Sequence, residues 1–273
     1  MAKRSSTARS RPHDPTALGR RFKQRLKRGE LLLGGTVIEY LRPSLVKVYG
    51  RAGYDFIFLE NEHAAFLTPQ YSDFVLASRD NGLPVISKAG QLDRAEVARI
   101  MDAGVVGLQL PATESREQVE QLIRYVKYPP GGMRPGAPCF GNVDYQPPAD
   151  DRAWLRKANA ASVIVVHIET VKGYENAKEI VSTPGVDMVY VGPYDFSISM
   201  GQPGNYDHPD VRKPMQKILG LCKKYNVPFG TSASSPKRGG QWIQAGCQFF
   251  ELEDEISLIA SGATRVIESY RGR

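Results

Sequence analysis

The chain of 273 residues contains 41% hydrophobic and 24% charged residues, a composition typical of a globular protein and not of a fibrous or disordered one. No run of about 18 apolar residues is present, which excludes a transmembrane helix. The formal net charge is +7, but ten Lys or Arg and one acid lie in residues 1–28. The remaining residues are close to neutral, so charge alone predicts no acidic partner for the body of the chain.

The basic tail and the cysteines bear on partners and location. A basic tail could contact nucleic acid or anionic lipid, but no aromatic residue lies between Met1 and Phe22 to stack on bases. A solvated extension is the favoured interpretation, and neither nucleic acid nor a membrane is expected as a partner.

Cys139, Cys222 and Cys247 form no CxxC pair and no even set, which favours a reducing compartment and therefore the cytoplasm.

From residue 31 onward, short apolar runs rich in β-branched and aromatic residues alternate with amphipathic stretches. Most of these runs lack the alternation of a half-exposed sheet, which is typical of parallel strands covered by helices. Ser115 with Gln118, and Ser235 with Pro236, are typical helix beginnings between them. The predicted strands are Leu31–Val37, Asp55–Leu59, Leu83–Ser87, Val105–Leu110, Ser162–Ile168, Val186–Val191, Val227–Thr231 and Cys247–Leu252.

Eight strand–helix units in about 245 residues predict an α/β fold, a (β/α)8 TIM-type barrel with a basic N-terminal extension. A doubly wound sheet is the alternative, but neither a GxGxxG nor a GxxxxGK[ST] motif follows any predicted strand. We assign residues 1–28 to a basic, partly disordered tail with the start of the first helix, and residues 29–273 to the barrel. The irregular segment 128–151, rich in Pro and Gly, is predicted to be a functional lid or a subunit contact.

Reactive groups of such barrels lie at the carboxyl ends of the strands, and five of the eight predicted strands end in ionisable residues. Acids gathered at one rim repel one another unless a cation lies among them. Carboxylate oxygens suit Mg²⁺ or Mn²⁺, whereas zinc is less suitable because no cysteine falls on this rim. The rim residues are Glu60, Glu62, His63, Lys88, His167, Glu169, Asp195, Glu251, Glu253 and Asp254.

Four segments together carry a resemblance to a known family: FLENEHA at 58–64, YPPGGMR at 128–134, IET at 168–170 and VGPYDFS at 191–197. Their order and spacing resemble those of the HpcH/HpaI aldolases over nearly the whole chain after residue 30. The resemblance implies a metal-dependent, class II pyruvate aldolase, usually a hexamer in which the last helix packs on a neighbouring subunit. It also implies Mg²⁺ or Mn²⁺, with Co²⁺ as a further candidate, and a 2-oxo acid and an aldehyde as small-molecule partners.

The resemblance assigns roles to individual residues. Glu169 and Asp195 match the metal ligands of the family, and His63 matches its catalytic histidine, which Glu60 or Glu62 would orient. A 2-oxo acid on the metal would form a stabilised enolate, and His63 would move the proton of the aldol hydroxyl. Lys88 is a further catalytic candidate, and the residues predicted to bind substrate are Ser87, Arg134, His167, Gly192, Pro193 and Tyr194.

Several positions depart from the pattern of the family and leave the reaction open. Strand 3 ends in Ser87-Lys88, where the family usually has an arginine. Lys88 could supply the charge if the register shifts by one residue, but as a point charge without a planar fork. His167 stands where a glutamine is usual, two residues before Glu169 on one strand, so it could hydrogen-bond that carboxylate from below. Glu251 and Glu253 share one face of their strand, and an inward face would require a positive neighbour or a proton.

Three functions are therefore compared. The main one is a metal-dependent aldolase or lyase that makes or cleaves a C–C bond beside a pyruvate-like 2-oxo acid. The second is a decarboxylase or C–C-forming synthase that acts on an oxaloacetate-like acid through the same enolate. The third, of another class, is a non-catalytic barrel that binds acidic partners through its basic tail, and the metal carboxylates argue against it.

Overall fold

The computed structural model describes residues 14–64, 66, 68–233 and 235–272. Eight parallel strands form one closed barrel in chain order, and β8 pairs with β1 to close it. The predicted (β/α)8 barrel and its eight strands are confirmed. The strands are β1 (Leu32–Val37), β2 (Phe56–Leu59), β3 (Val85–Lys88), β4 (Gly107–Leu110), β5 (Val163–His167), β6 (Met188–Val191), β7 (Phe229–Thr231) and β8 (Phe249–Asp254).

Helices surround the barrel and connect its strands, and their apolar faces pack against the outer faces of the strands. No helix in the described part of the chain is both long and apolar enough to cross a membrane. The helices are α1 (Pro15–Lys27), α2 (Pro43–Ala52), α3 (Thr68–Asp80), α4 (Arg94–Asp102), α5 (Arg116–Val126), α6 (Asp151–Ala161), α7 (Val171–Glu175), α8 (Ala177–Val181), α9 (Pro193–Ser199), α10 (Pro209–Tyr225), α11 (Pro236–Ala245) and α12 (Glu255–Arg271).

Aromatic rings and aliphatic side chains together fill the barrel interior below the rim. The rings of Phe56 and Phe249 stack with their centroids 4.3 Å apart. Two glycines leave room for them, because a Cβ atom at Gly34 would lie 2.1 Å from the Phe56 ring and one at Gly230 would lie 2.8 Å from the Phe249 ring. The interior below the rim is therefore a packed core and not a channel.

Helix α1 closes the barrel at the amino ends of the strands. Asp14 caps this helix by accepting a hydrogen bond from the Thr16 N–H. The Phe22 ring, 2% exposed, meets the rings of Phe56 and Phe249 edge-on at centroid distances of 5.6 and 6.2 Å. The structure thus moves the domain boundary predicted at residue 28 back to the start of α1, because this helix belongs to the barrel core. The predicted disordered tail at residues 1–13 lies outside the described residues.

The irregular segment 128–151 lies at the amino ends of the strands, opposite the rim. It follows α5, which runs back from the carboxyl end of β4. Arg79 of α3 donates to the Gly141 carbonyl and pairs with Asp144 at 2.9 Å, which holds the segment in place. The prediction of a lid over the reactive rim is wrong, because the direction of the preceding helix decides at which end a connection lies. A role as a subunit contact stays a prediction.

Phe22→Ala is expected to lower the free energy of unfolding by about 3 to 5 kcal/mol, because loss of a buried ring leaves a cavity between α1 and the barrel. Urea unfolding followed by circular dichroism measures the change. The control is Val48→Ala on α2, since Val48 is 59% exposed and its loss should stay within about 0.5 kcal/mol. Equal effects of the two variants would show that α1 does not support the barrel.

Candidate active site

The carboxyl ends of the strands surround a cavity of about 550 Å³. Its walls combine charged side chains with the rings of Phe58 and Tyr190. The barrel thus brings most of the predicted site residues together around one cavity. The predicted site residues that line the cavity are Glu60, Lys88, His167, Gly192, Pro193, Tyr194 and Asp195.

The side chain of Lys88 reaches into this cavity and is 4% exposed. Its Nζ atom lies 2.5 Å from Glu62 Oε2 and 3.3 Å from Glu60 Oε2. Burial lowers the pKa of the amine, but Glu60, Glu62 and Glu169 raise it more, so the pKa lies above its ordinary value. Glu60, Glu62 and His63 are close enough to hold a cation, and the Lys88 ammonium already pairs with the two glutamates. Lys88 therefore faces inward and carries a positive charge.

Two predicted residues lie at the rim without facing the cavity. The His63 side chain is 73% exposed, and its Nε2 atom lies 3.7 Å from Glu62 Oε2. Ser87 is fully buried on the outer side of β3, because alternate strand residues face opposite sides and Lys88 takes the inner one. The prediction that Ser87 binds substrate is therefore wrong. The catalytic role of His63 stays a prediction.

Glu169 follows β5 and is 6% exposed. Its Oε1 atom accepts a hydrogen bond from the Ala112 N–H at 2.7 Å, and its Oε2 atom lies 2.9 Å from Nε2 of His167. Burial raises the pKa of this carboxyl, but His167, the Ala112 N–H and Lys88 outweigh burial and lower the pKa to about 2. Glu169 is therefore an ionised carboxylate at neutral pH, in the contact with His167 that the strand spacing predicted.

The residues that follow β6 also line the cavity. A Cβ atom at Gly192 would lie 2.3 Å from His167 Nε2 and 3.3 Å from Glu169 Oε2, so a side chain there would displace both groups. Asp195 lies in the first turn of α9 and lines the cavity. Tyr194 beside it is 59% exposed. Because β5 and β6 are paired neighbours, Glu169 after β5 and Asp195 after β6 lie on neighbouring parts of the rim.

Glu169 and Asp195 fit a divalent cation. The Oε2 atom of Glu169 is buried and, although it lies 2.9 Å from Nε2 of His167, it has no regular hydrogen-bond partner within the described ranges. A buried carboxylate oxygen without a partner is unfavourable unless a cation or water reaches it. Two carboxylates, with other positions open to water and substrate, are the donors that suit Mg²⁺ or Mn²⁺.

Glu251 on β8 is buried and reaches the same cavity. Burial raises its pKa well above the ordinary value, although a hydrogen bond from Tyr190 and the charge of Lys88 oppose this change. Glu253 is exposed, because the pairing of β8 with β1 shifts register here and a bulge changes the direction of the later side chains. Glu251 therefore faces inward, and its burial favours the protonated carboxyl.

Residues 38–260 match the family model of the HpcH/HpaI aldolase/citrate lyase family. The chain belongs to this family. The 5-keto-4-deoxy-D-glucarate aldolase of Shigella boydii is 26% identical over 234 residues, which cover 84% of this chain and 88% of the relative. The solved structure of an HpcH/HpaI aldolase from Desulfitobacterium hafniense is 27% identical with a TM-score of 0.87, and the match covers 91% of this chain and 96% of that one.

A more distant HpcH/HpaI-like barrel is the citrate lyase beta subunit of Mycobacterium tuberculosis, whose structure contains oxaloacetate and magnesium. It is 15% identical with a TM-score of 0.52 over 84% of this chain and 93% of that one, so this likeness shows the fold alone. As an HpcH/HpaI family member, the chain is a carbon–carbon lyase. The alternative of a non-catalytic barrel is therefore set aside.

Arg134 is the predicted site residue that this HpcH/HpaI chain does not bring to the rim. Its guanidinium pairs with Asp102, the last residue of α4, and lies 4.6 Å over the Tyr128 ring. Both partners are at the opposite end of the barrel. The prediction that Arg134 binds substrate in the site of its own chain is wrong, because the segment 128–151 follows α5 to the amino ends of the strands.

Two interior residues were not predicted from the sequence. The Tyr190 ring of β6 packs edge-on against His167 with the centroids 4.8 Å apart. Gln109 of β4 is fully buried, and neither atom of its amide has a hydrogen-bond partner among the described residues. The period of two along a strand was the signal that could have found them, since Tyr190 lies two residues before Gly192 on the same side of β6.

Glu251→Gln is expected to stabilise the fold increasingly as the pH rises. A carboxyl with a raised folded-state pKa carries no penalty below its unfolded pKa of about 4.3, and it destabilises the fold above that value. The difference in the free energy of unfolding between variant and native chain should therefore grow by up to about 1.4 kcal/mol per pH unit above about pH 5. Urea unfolding across this range measures the difference.

The matched control is Glu253→Gln, because Glu253 is exposed two residues along the same strand. Because a substitution at an exposed position usually changes stability little, its difference from the native chain should stay within about 0.5 kcal/mol. Tyr190, Lys88, Glu60 and Glu169, which act on Glu251, are unchanged in both variants. A difference for Glu251→Gln that does not depend on pH would show that Glu251 is ionised in the folded chain.

Proposed function

We propose that this chain makes or cleaves a C–C bond beside the carbonyl of a pyruvate-like 2-oxo acid, with a divalent cation, Mg²⁺ or Mn²⁺, held by Glu169 and Asp195. The observation that carries the proposal is the buried Oε2 atom of Glu169, which lacks a hydrogen-bond partner among the described residues. A bound cation would supply charge that stabilises the enolate of the 2-oxo acid.

Lys88 supplies fixed positive charge in the same cavity. Its Nζ atom lies between Glu60 and Glu62, so the ammonium can leave the cavity only by separating two ion pairs. A 2-oxo acid carries a carboxylate, and we infer that Lys88 attracts it and orients one of its oxygens. The lysine ammonium is a point charge, whereas an arginine guanidinium is planar and can donate two parallel hydrogen bonds. Lys88 therefore restrains the position of the bound carboxylate more than the orientation of its plane.

Two groups are placed to handle protons. His63 lies at the rim and keeps its predicted role as acid and base at the hydroxyl oxygen of the aldol. For this role its side chain would turn from Glu62 toward the cavity. Glu251, kept protonated by burial, accepts a hydrogen bond from Tyr190. Its own O–H is available to donate a hydrogen bond to an oxygen of a bound acid.

The cavity has room for a second reactant. Its volume of about 550 Å³ exceeds that of a three-carbon acid, and its outer wall contains Arg212 and Arg238. Both arginines contact Asp207, which lines the same cavity. The Shigella relative is named for an acidic keto sugar, which supports the aldol reaction over decarboxylation.

The last helix supports the proposal of a homo-oligomer. Helix α12 exposes large apolar side chains to solvent in the single chain, and such side chains along one helix mark an interaction surface. We infer that α12 packs on a neighbouring subunit of the same protein, as the family resemblance implies. The side chains are Ile256, Ile259, Val266, Ile267 and Tyr270, of which Tyr270 is 89% exposed.

Glu169→Gln is expected to reduce metal-dependent deuterium exchange into the methyl group of pyruvate on the order of 100-fold or more, because the cation loses a charged ligand. Proton NMR with Mg²⁺ or Mn²⁺, and then with a chelator, measures the exchange. The control is Glu175→Gln, the same substitution at an exposed residue of α7, which should keep the native rate. Exchange that a chelator leaves unchanged would refute metal-dependent enolate formation.

Lys88→Met is expected to raise KM for pyruvate about tenfold or more, because Glu60 and Glu62 then repel the acid without a neutralising charge. Lys88→Arg keeps the charge and should recover most of the affinity.

The same variants are assayed with oxaloacetate by following its loss of CO₂. Faster decarboxylation than pyruvate exchange in the native chain would favour the decarboxylase alternative over the aldolase.

A further inference from the structure

His167 and Glu169 present two atoms of opposite chemistry side by side. Residues two apart on a strand face the same side, and here Nε2 of His167 lies 2.9 Å from Oε2 of Glu169. His167 is 4% and Glu169 is 6% exposed. Neither atom has a hydrogen-bond partner in the described part of the chain. A buried nitrogen and a buried carboxylate oxygen thus lie together without a regular hydrogen bond between them.

A bound cation would satisfy both atoms at once. With metal–ligand distances of roughly 2.1 Å, neighbouring ligand atoms of an octahedral site are roughly 3 Å apart. The separation of 2.9 Å between Nε2 and Oε2 agrees with that spacing. Two lone pairs directed at one cation replace the hydrogen bonds that these atoms lack.

The surroundings keep the imidazole of His167 in place. The Tyr190 ring packs edge-on against the imidazole at an interplanar angle of 81°, which restricts rotation of the ring. Gly192 has no side chain, and a Cβ atom there would lie 2.3 Å from Nε2 and 3.3 Å from Oε2. The Gly192 backbone therefore packs closely against both atoms, and any side chain at this position would displace them.

We propose that Nε2 of His167 is a third protein ligand of the cation that Glu169 and Asp195 hold. The inference rests on the proposed function, because it requires the metal site, and it adds a nitrogen donor to two carboxylates. Carboxylate and water ligands suit Mg²⁺, whereas imidazole favours later first-row metals such as Co²⁺ and Zn²⁺. The site therefore prefers Mn²⁺, Co²⁺ or Zn²⁺ over Mg²⁺, in contrast to a site of two carboxylates.

His167→Gln tests the proposal without activity as the readout. Calorimetric titration of the full chain with Mg²⁺ and with Co²⁺ gives a ratio of dissociation constants, and the variant should reduce the preference for Co²⁺ at least about tenfold. The visible absorption of bound Co²⁺ should also shift, because one nitrogen ligand is lost. A ratio and a spectrum that match those of the native chain would overturn the proposal and leave His167 as a positioning residue.

Mn²⁺ bound to the native chain gives a second, direct readout. Pulsed electron paramagnetic resonance should detect coupling to a histidine nitrogen in the native chain and in His208→Gln, and none in His167→Gln. His208 is the control because it caps α10, outside the cavity. Nitrogen coupling that persists in His167→Gln would assign the ligand to another residue and overturn the proposal.

Failure of the proposed function gives a different result. If Glu169→Gln and Asp195→Asn bind Co²⁺ and Mg²⁺ as the native chain does, the metal site itself is wrong. If these two variants lose metal binding while His167→Gln keeps the native preference for Co²⁺ over Mg²⁺, the metal site is supported and the proposed role of His167 is wrong. Thermal unfolding of each variant without metal confirms that the chains compared are folded.

Discussion

A carboxylate buried inside a barrel needs a cation, a hydrogen-bond donor or a proton, and this requirement organises the rim. Glu60 and Glu62 meet it by enclosing Lys88. Glu251 meets it by keeping its proton. Glu169 meets it in part, because one oxygen accepts a backbone N–H and the other faces a histidine without a regular hydrogen bond. Among these carboxylates, Glu169 is the one with an oxygen that lacks a regular partner, and the proposed chemistry takes place there.

A column of aromatic rings connects the closed end of the barrel to this carboxylate. The Phe22 ring of α1 contacts the ring of Phe249, which lies 6.3 Å from that of Tyr190, and Tyr190 in turn packs on His167. Close-packed rings of this kind allow little rotation. The orientation of the histidine beside Glu169 therefore depends on packing that begins at the other end of the molecule.

The sequence allowed prediction of the strands and of the carboxylates at their ends, because burial on both faces and the period of two are local properties of the chain. The contact of His167 with Glu169 also followed from that period. Ser87 was misassigned by one residue of register. Arg134 was misassigned because a motif does not tell at which end of the barrel its segment lies, which depends on the path of α5.

Because α1 packs in the barrel core, a deletion that includes it damages the core as well as removing basic residues. A deletion that ends at residue 28 removes the basic residues together with Phe22, the ring that seals the barrel. Loss of function in such a protein would report a damaged core and not a role for the charges. A deletion that stops before Asp14, which caps α1, separates the two effects, and affinity tags at this end need a spacer ahead of the cap.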